Sequence, residues 1–297
     1  MRKLVLVLAG LALSGAALAQ TGTLERVRKT GEITLGVRES SAPLSYTLGA
    51  GQFTGYHVEL CLAIVDRMKK ALGRDVAVKY QPVTSQNRIS LVQNGTVDLE
   101  CGSTTNNEAR QKDVAFGLTT YVTEVRMAVK ANSGITSIAQ LNGKRVATTT
   151  GTTSVQTLRK HQRADRVNFQ EIYGKDHADS FLLLETGRAD AFVMDDNILA
   201  GLIANAKNPK DYRIVGEVLS VEPIAVMFRR DDAAMKKLVD DTLRDMMRSG
   251  ALEKLYARWF LSPIPPRNTN VNLPMGATLK ALFKSPNDKP MEAYAKS

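Results

Sequence analysis

Tryptophan occurs once, cysteine twice and histidine three times in the 297 residues, and this scarcity removes most catalytic and metal chemistries at the outset. His57, His161 and His177 stand far apart, and Cys61 and Cys101 form no CxxC pair, so neither a dithiol redox motif nor a zinc site of ordinary ligand spacing is expected. The GxSxG elbow of hydrolases, the HExxH of zinc proteases and the GxxxxGK phosphate loop are all missing. Gly49, Ala50 and Gly51 followed by Gly55 approximate a dinucleotide fingerprint, but the last spacing is one residue too long and no strand precedes it. A loop is the simpler reading. Asp176, His177 and Asp179 could mimic metal ligands, yet the run from Asp176 to Ser180 reads as a capped helix start. No cofactor or metal is expected.

Long apolar runs are also lacking after the N-terminus, where no stretch approaches the roughly 18 residues a membrane span needs. Basic residues are in excess, with a formal net charge of +10, but they are scattered or interleaved with acids, as in Arg229, Arg230, Asp231 and Asp232. There is no basic arm and no aromatic–basic alternation, so a nucleic-acid partner is not expected.

What is present begins with a leader. Arg2 and Lys3 precede an uncharged apolar run over residues 4–13, and Ala17, Leu18 and Ala19 supply a small-x-small cleavage site. This is the layout of a secretory signal peptide at residues 1–19, with Gln20 as the first mature residue of an exported chain. In an exported chain an even pair of cysteines invites a disulfide between Cys61 and Cys101. Such a loop restricts the unfolded chain by about 4 kcal/mol on the entropy model.

Strand-like and helix-like segments then alternate. Residues 33–37 read as a buried strand, and Val58, Cys61, Leu62, Val65, Met68 and Leu72 recur at helical spacing. Residues 76–80 read as a strand, 85–93 as a helix with Ser85 as its N-cap, and 97–101 as a short strand. The rhythm resumes with strands near 145–149, 167–172 and 191–194, and with helices starting at Thr152 and Asp176. Alternation of this kind predicts an α/β fold with mainly parallel sheets, and the length suits two such sheets. Met235, Leu238, Val239, Leu243, Met246 and Met247 form a helical stripe expected to face the core.

Several segments together resemble the amino-acid-binding proteins of ABC importers, the binders of acidic amino acids in particular. They are Gly36-Val37-Arg38-Glu39-Ser40-Ser41, Thr84-Ser85-Gln86-Asn87-Arg88-Ile89, Cys101-Gly102-Ser103-Thr104-Thr105-Asn106-Asn107, Arg110-Gln111-Lys112, Gly151-Thr152-Thr153-Ser154, Lys175-Asp176-His177-Ala178-Asp179-Ser180-Phe181 and Met194-Asp195-Asp196. The resemblance spans nearly the whole mature chain, through Pro263-Ile264-Pro265-Pro266 and the tail. It implies a two-lobed periplasmic-binding-protein fold. Lobe 1 would comprise residues 20–124 and 221–297, and lobe 2 residues 125–220. The lobes would be hinge-linked, with crossings near 122–126 and 219–222, and would close on a ligand.

The resemblance also implies roles. Arg110 would bind the α-carboxylate, supported by Thr153 at a helix start, and Asp195 the ammonium, with Asp196 as a helix cap. Ser103 and Thr105 would serve both groups. Arg38, Arg88 and His177, with Ser85 beside Arg88, would hold a side-chain carboxylate. Three arginines against Asp195 leave a positive excess that favours an anionic ligand. The expected function is capture of glutamate or aspartate and delivery to the membrane subunits of an ABC importer, by a monomer without enzymatic activity. The alternatives are a dehydratase-like periplasmic enzyme on the same fold and a sensory ligand-binding module.

Overall fold

The computed structural model describes residues 22–294, so the predicted signal peptide lies outside the described residues. Along the chain the strands are β1 (Glu32–Val37), β2 (Ser40–Ser41), β3 (Ser45–Gly49), β4 (Gln52–Thr54), β5 (Ala77–Pro82), β6 (Leu99–Glu100), β7 (Val114–Phe116), β8 (Tyr121–Lys130), β9 (Arg145–Thr149), β10 (Gln170–Gly174), β11 (Ala191–Asp195), β12 (Tyr212–Ile224) and β13 (Met227–Arg229). The α-helices are α1 (Thr23–Thr30), α2 (Tyr56–Leu72), α3 (Arg88–Gln93), α4 (Glu108–Gln111), α5 (Thr153–Ala164), α6 (His177–Glu185), α7 (Asp196–Asn205), α8 (Ala233–Arg248), α9 (Ala251–Phe260) and α10 (Ala277–Lys284).

Two five-stranded sheets organise the molecule, in the orders β5-β1-β6-β13-β7 and β10-β9-β11-β8-β12. The first is parallel except for β13, which runs against both β6 and β7. The second is parallel except for β8, which runs against β11 and β12. The expected mainly parallel α/β architecture is therefore present, with one reversed strand in each sheet. A third, small sheet, β2-β3-β4, departs from the sequence reading of this stretch as a loop. Its β3–β4 turn runs through Gly49, Ala50 and Gly51, all at positive φ, so these glycines serve a tight reversal and not a nucleotide.

Periodicity explains the helices. In α2 the buried positions Tyr56, Leu60, Cys61, Ile64, Val65 and Met68 recur every three or four residues, and Gly73 ends the helix at φ 63°. In α8 the stripe Met235, Leu238, Val239, Leu243 and Met247 is buried, while Asp232 caps the first turn by accepting from the Met235 N–H at 3.1 Å. Both helices pack into the large apolar cluster on one face of the first sheet, and a smaller cluster with Val92, Val97 and Phe116 fills the other face. The second sheet likewise has a cluster on each face, one around Val146, Leu158 and Val193, the other around Phe181, Phe192 and Ile198. Trp259 belongs to the first body, edge-on to Tyr46.

Strands β8 and β12 run antiparallel from Tyr121↔Ile224 to Lys130↔Tyr212, with a register shift between Val215 and Ser220. Their Tyr121/Ile224 ends are buried in the first body's core and their middles in the second body's. Stacking of Tyr121 on Phe260, centroids 4.8 Å apart, pins that end. Cys61 of α2 and Cys101 at the end of β6 form a disulfide with a Cα separation of 6.2 Å. The segment after α10 returns to the loop following β6: the Asn106 side chain donates to Asp288 O at 2.9 Å and Met291 N–H donates to Asn106 O at 2.9 Å.

Candidate functional site

Parallel strands deliver the site. Arg38 follows β1, Ser103 and Thr105 follow β6, Gly151 to Thr153 follow β9, Asp176 and His177 follow β10, and Asp195 ends β11. All are carboxyl ends of parallel strands, where open α/β sheets place their ligands. The ends of the two sheets face each other across a narrow cavity lined by Ser85, Arg88, Ser103, Thr105, Thr152, Thr153, His177, Met194, Asp195 and Ile198.

Seven of the nine residues expected to bind ligand line this cavity. Arg110 stands at its mouth, in the adjoining groove, and Arg38 stands behind its wall. Ser85 is 4% exposed. The expected capping role of Ser85 is wrong: α3 begins only at Arg88, with Asn87 before it, which frees Ser85 to face the cavity. Asp196 is the first residue of α7 and not its cap. Its Oδ1 accepts from Thr123 Oγ1 at 2.8 Å and from the N–H of Glu124 and Asn197.

Arg88 is 2% exposed, and its Nε and Nη1 have no hydrogen-bond partner. Burial, then the nearby Arg110, pull its guanidinium down to about 9. A buried cation without hydrogen-bond partners is expensive. Arg110 is better satisfied: Nη1 donates to Thr105 O at 2.8 Å and Nη2 to Gly151 O at 3.4 Å, across the two bodies. Gly151 allows this approach, since its φ is 80° and a Cβ would lie 2.7 Å from Gln86 Cα. Opposite the arginines, Asp195 is 4% exposed, and burial, then Glu222 and Asp196, push its carboxyl well above the usual range.

Arg38 is fully buried, and its Nη2 donates to Asp176 Oδ1 at 2.5 Å while Nη1 reaches Ser103 Oγ at 3.3 Å. Asp176 also accepts from Ser40 Oγ at 2.6 Å. Asp176 therefore makes no capping bond to α6, contrary to the sequence expectation, because the arginine and serine of the other body claim its carboxylate. Nη2 lies 3.3 Å from His177 Nε2 as well, and a guanidinium only donates. His177 must then accept at Nε2 and carry its proton on Nδ1, which lies 3.0 Å from Thr149 Oγ1. Burial first, then Arg38, hold this imidazole neutral by lowering its pKa.

Three acidic residues escaped the sequence reading. Asp176 pairs with Arg38, and the fully buried Glu100 attracts Arg88 and Arg110, so the positive excess counted from sequence does not survive in the folded site. Glu222 on β12 is fully buried, accepting from Thr105 Oγ1 at 2.6 Å and Thr153 Oγ1 at 2.7 Å through Oε2, and from Ser220 Oγ at 2.8 Å through Oε1. A carboxylate amid Val221, Pro223, Ile224 and Ala225 is the one signal that pointed to it, since lone acids in apolar strands are rarely buried without a task.

A cleft that confronts buried arginines with a buried carboxyl, between two α/β bodies, defines a receptor for a small zwitterion. Residues 33–262 match the model for bacterial extracellular solute-binding proteins, family 3, and the chain belongs to that family. It is 48% identical to the glutamate/aspartate import solute-binding protein of Escherichia coli (strain K12), over 92% of this chain and 91% of the relative. It is 46% identical to the L-glutamate/L-aspartate-binding protein of Pseudomonas aeruginosa, over 92% of this chain and 91% of that one. Among solved structures, a mutant of ArgBP from T. maritima superposes with a TM-score of 0.71 at 26% identity, covering 80% of this chain and 98% of the other. These relatives are binding proteins, and the chain is a binding protein and not an enzyme. Among the described residues no helix is long and apolar enough to cross a membrane.

Proposed function

We propose that the protein captures glutamate or aspartate in this cleft and delivers it to an ABC importer. The observation that carries the reading is Arg88: a buried, unpartnered guanidinium in a cavity that also holds Asp195 and adjoins Arg110. Arg110 and the free N–H groups at the start of α5 take the α-carboxylate, and Asp195 takes the ammonium. Arg88, with Ser85 Oγ also lacking a partner, takes the side-chain carboxylate. Arg38 and His177 form the wall behind it, with Ser103 between Arg38 and the cavity. The near relatives that import or bind glutamate and aspartate support this choice.

Residues 22–124 with 221–294 act as one lobe and 125–220 as the other, rotating about β8 and β12. The protein works as a monomer in the periplasm, exported by a leader at residues 1–19, and the importer's membrane subunits receive the closed form. A thermal-shift screen over the common amino acids tests the ligand assignment. Glutamate and aspartate raise the unfolding midpoint by several degrees, while glutamine, asparagine and arginine leave it nearly unchanged. Equal shifts with glutamine and glutamate overturn the assignment.

A further inference from the structure

Glu222 has the geometry of a group that dictates how the ligand's amino end is read. It sits on β12 opposite Thr123 of β8, in the paired strands that join the two bodies. One of its oxygens receives the hydroxyls of Thr105, from the loop after β6, and Thr153, from the start of α5; the two hydroxyl oxygens are 3.4 Å apart. The other oxygen receives Ser220.

A threonine hydroxyl has one proton to give and two lone pairs to receive with. At 2.6 and 2.7 Å both threonine protons point to Glu222, so toward the cavity, which both residues line, these oxygens present lone pairs alone. They can accept from an ammonium and cannot donate to a carboxylate. The α-carboxylate is left to Arg110 and to backbone N–H groups, while the threonines side with Asp195; Glu222, a second acid beside it, opposes its ionisation until a cation is present. Without Glu222 each hydroxyl would be free to turn and donate to a carboxylate, and the two ends of the cleft would be less distinct.

We propose that Glu222 is a positioning residue that fixes Thr105 and Thr153 as hydrogen-bond acceptors and thereby makes the cleft require a ligand ammonium. The inference rests on the reading of the cleft as an acidic-amino-acid site and adds how that site rejects diacids that lack the amino group.

The test compares glutamate with glutarate, which keeps both carboxylates and lacks the ammonium, by calorimetry or by competition on the whole protein. Tight glutamate binding by the wild type checks the underlying reading independently. In Glu222→Gln the side-chain amide can donate to a threonine and release its proton toward the ligand. Glutamate affinity then falls about tenfold or more while glutarate affinity holds or rises, so their ratio shrinks. Thr153→Val, which keeps shape and removes the hydroxyl, weakens glutamate and spares glutarate. Unliganded thermal unfolding confirms that each variant is folded. An equal loss for both ligands in either folded variant overturns the proposal, as does a larger loss for glutarate. Should Glu222→Gln fail to fold, the Thr153→Val ratio decides alone.

Discussion

Arg38 and Asp176, 138 positions apart in sequence, form an ion pair at 2.5 Å that ties the end of β1 to the start of α6. Neither residue could have been assigned the other by spacing. The arginine is fully buried and the aspartate only 16% exposed, so the pair is poorly screened by water. Asp176→Asn should therefore destabilise the unliganded protein by roughly 3 kcal/mol, the lower end of the cost of leaving a buried charge unpaired. Asp165→Asn, which removes an exposed partner of His161, should cost less than about 1 kcal/mol. Urea unfolding of both variants checks the contrast, and equal small effects would mean that water, not Asp176, satisfies Arg38.

Arg88 leads to an opposite sign. Because its Nε and Nη1 lack hydrogen-bond partners, replacing it relieves a burial penalty and forfeits only its attraction to Glu100 and Asp195. Arg88→Met should leave unliganded stability unchanged or higher. Glutamate affinity should fall hundreds- to thousands-fold, equivalent to roughly 3–5 kcal/mol, with a smaller loss for glutamine. Arg110→Ala should weaken every amino acid alike. Calorimetry with both ligands and a melt without ligand settle the pair of variants.

Asp195 couples binding to protons. Burial, then Glu222 and Asp196, raise its carboxyl well above the ordinary value, so the free site gives up this proton less readily than an ordinary aspartate. An arriving ammonium favours the ionised form and expels that proton. Glutamate affinity should consequently decline as pH falls below the free site's value, and calorimetry in buffers of different ionisation enthalpy should register proton release. Asp195→Asn should abolish the release along with most of the affinity. Binding without proton exchange between pH 5 and 7 would contradict this.

The fold was largely legible because its signals are local. The buried face of α2, the α8 stripe and the strand–helix alternation are all written in runs of fewer than twenty residues. Arg88, Arg110 and Asp195 were legible for another reason, since each sits in a short segment shared with a known family. Glu222 and the true partner of Asp176 were not, because their meaning comes from residues 69 to 138 positions away. Ser85 was misplaced by a local rule, the preference of serine for helix starts, which the burial of its side chain beside the cavity overrode.

His57 predicts an acid weakness away from the ligand. It is fully buried, with Nδ1 2.5 Å from Gly102 O and Nε2 2.8 Å from Thr120 Oγ1, and burial lowers it to about 4. In the unfolded chain it titrates near 6.5. Between those values the unfolded state binds more protons, so stability falls as pH drops, by roughly 1.4 kcal/mol per pH unit. His57→Gln should flatten that dependence by about one proton. Denaturation at pH 7, 5.5 and 4.5 measures it, and parallel slopes in the two proteins would exclude His57 as the source.

The loop that carries Thr105 and Arg110 is braced by Asp288, 182 positions later than Asn106. A ribosome makes the loop early and its brace almost at the end. Arg38, the cysteine pair and the arginines of the first wall all lie before residue 111, yet the floor beneath Thr105 is completed only by residues 287–291. A C-terminally clipped chain therefore carries the chemistry of recognition without the support that keeps it in register, and ligand capture becomes a property of the finished molecule.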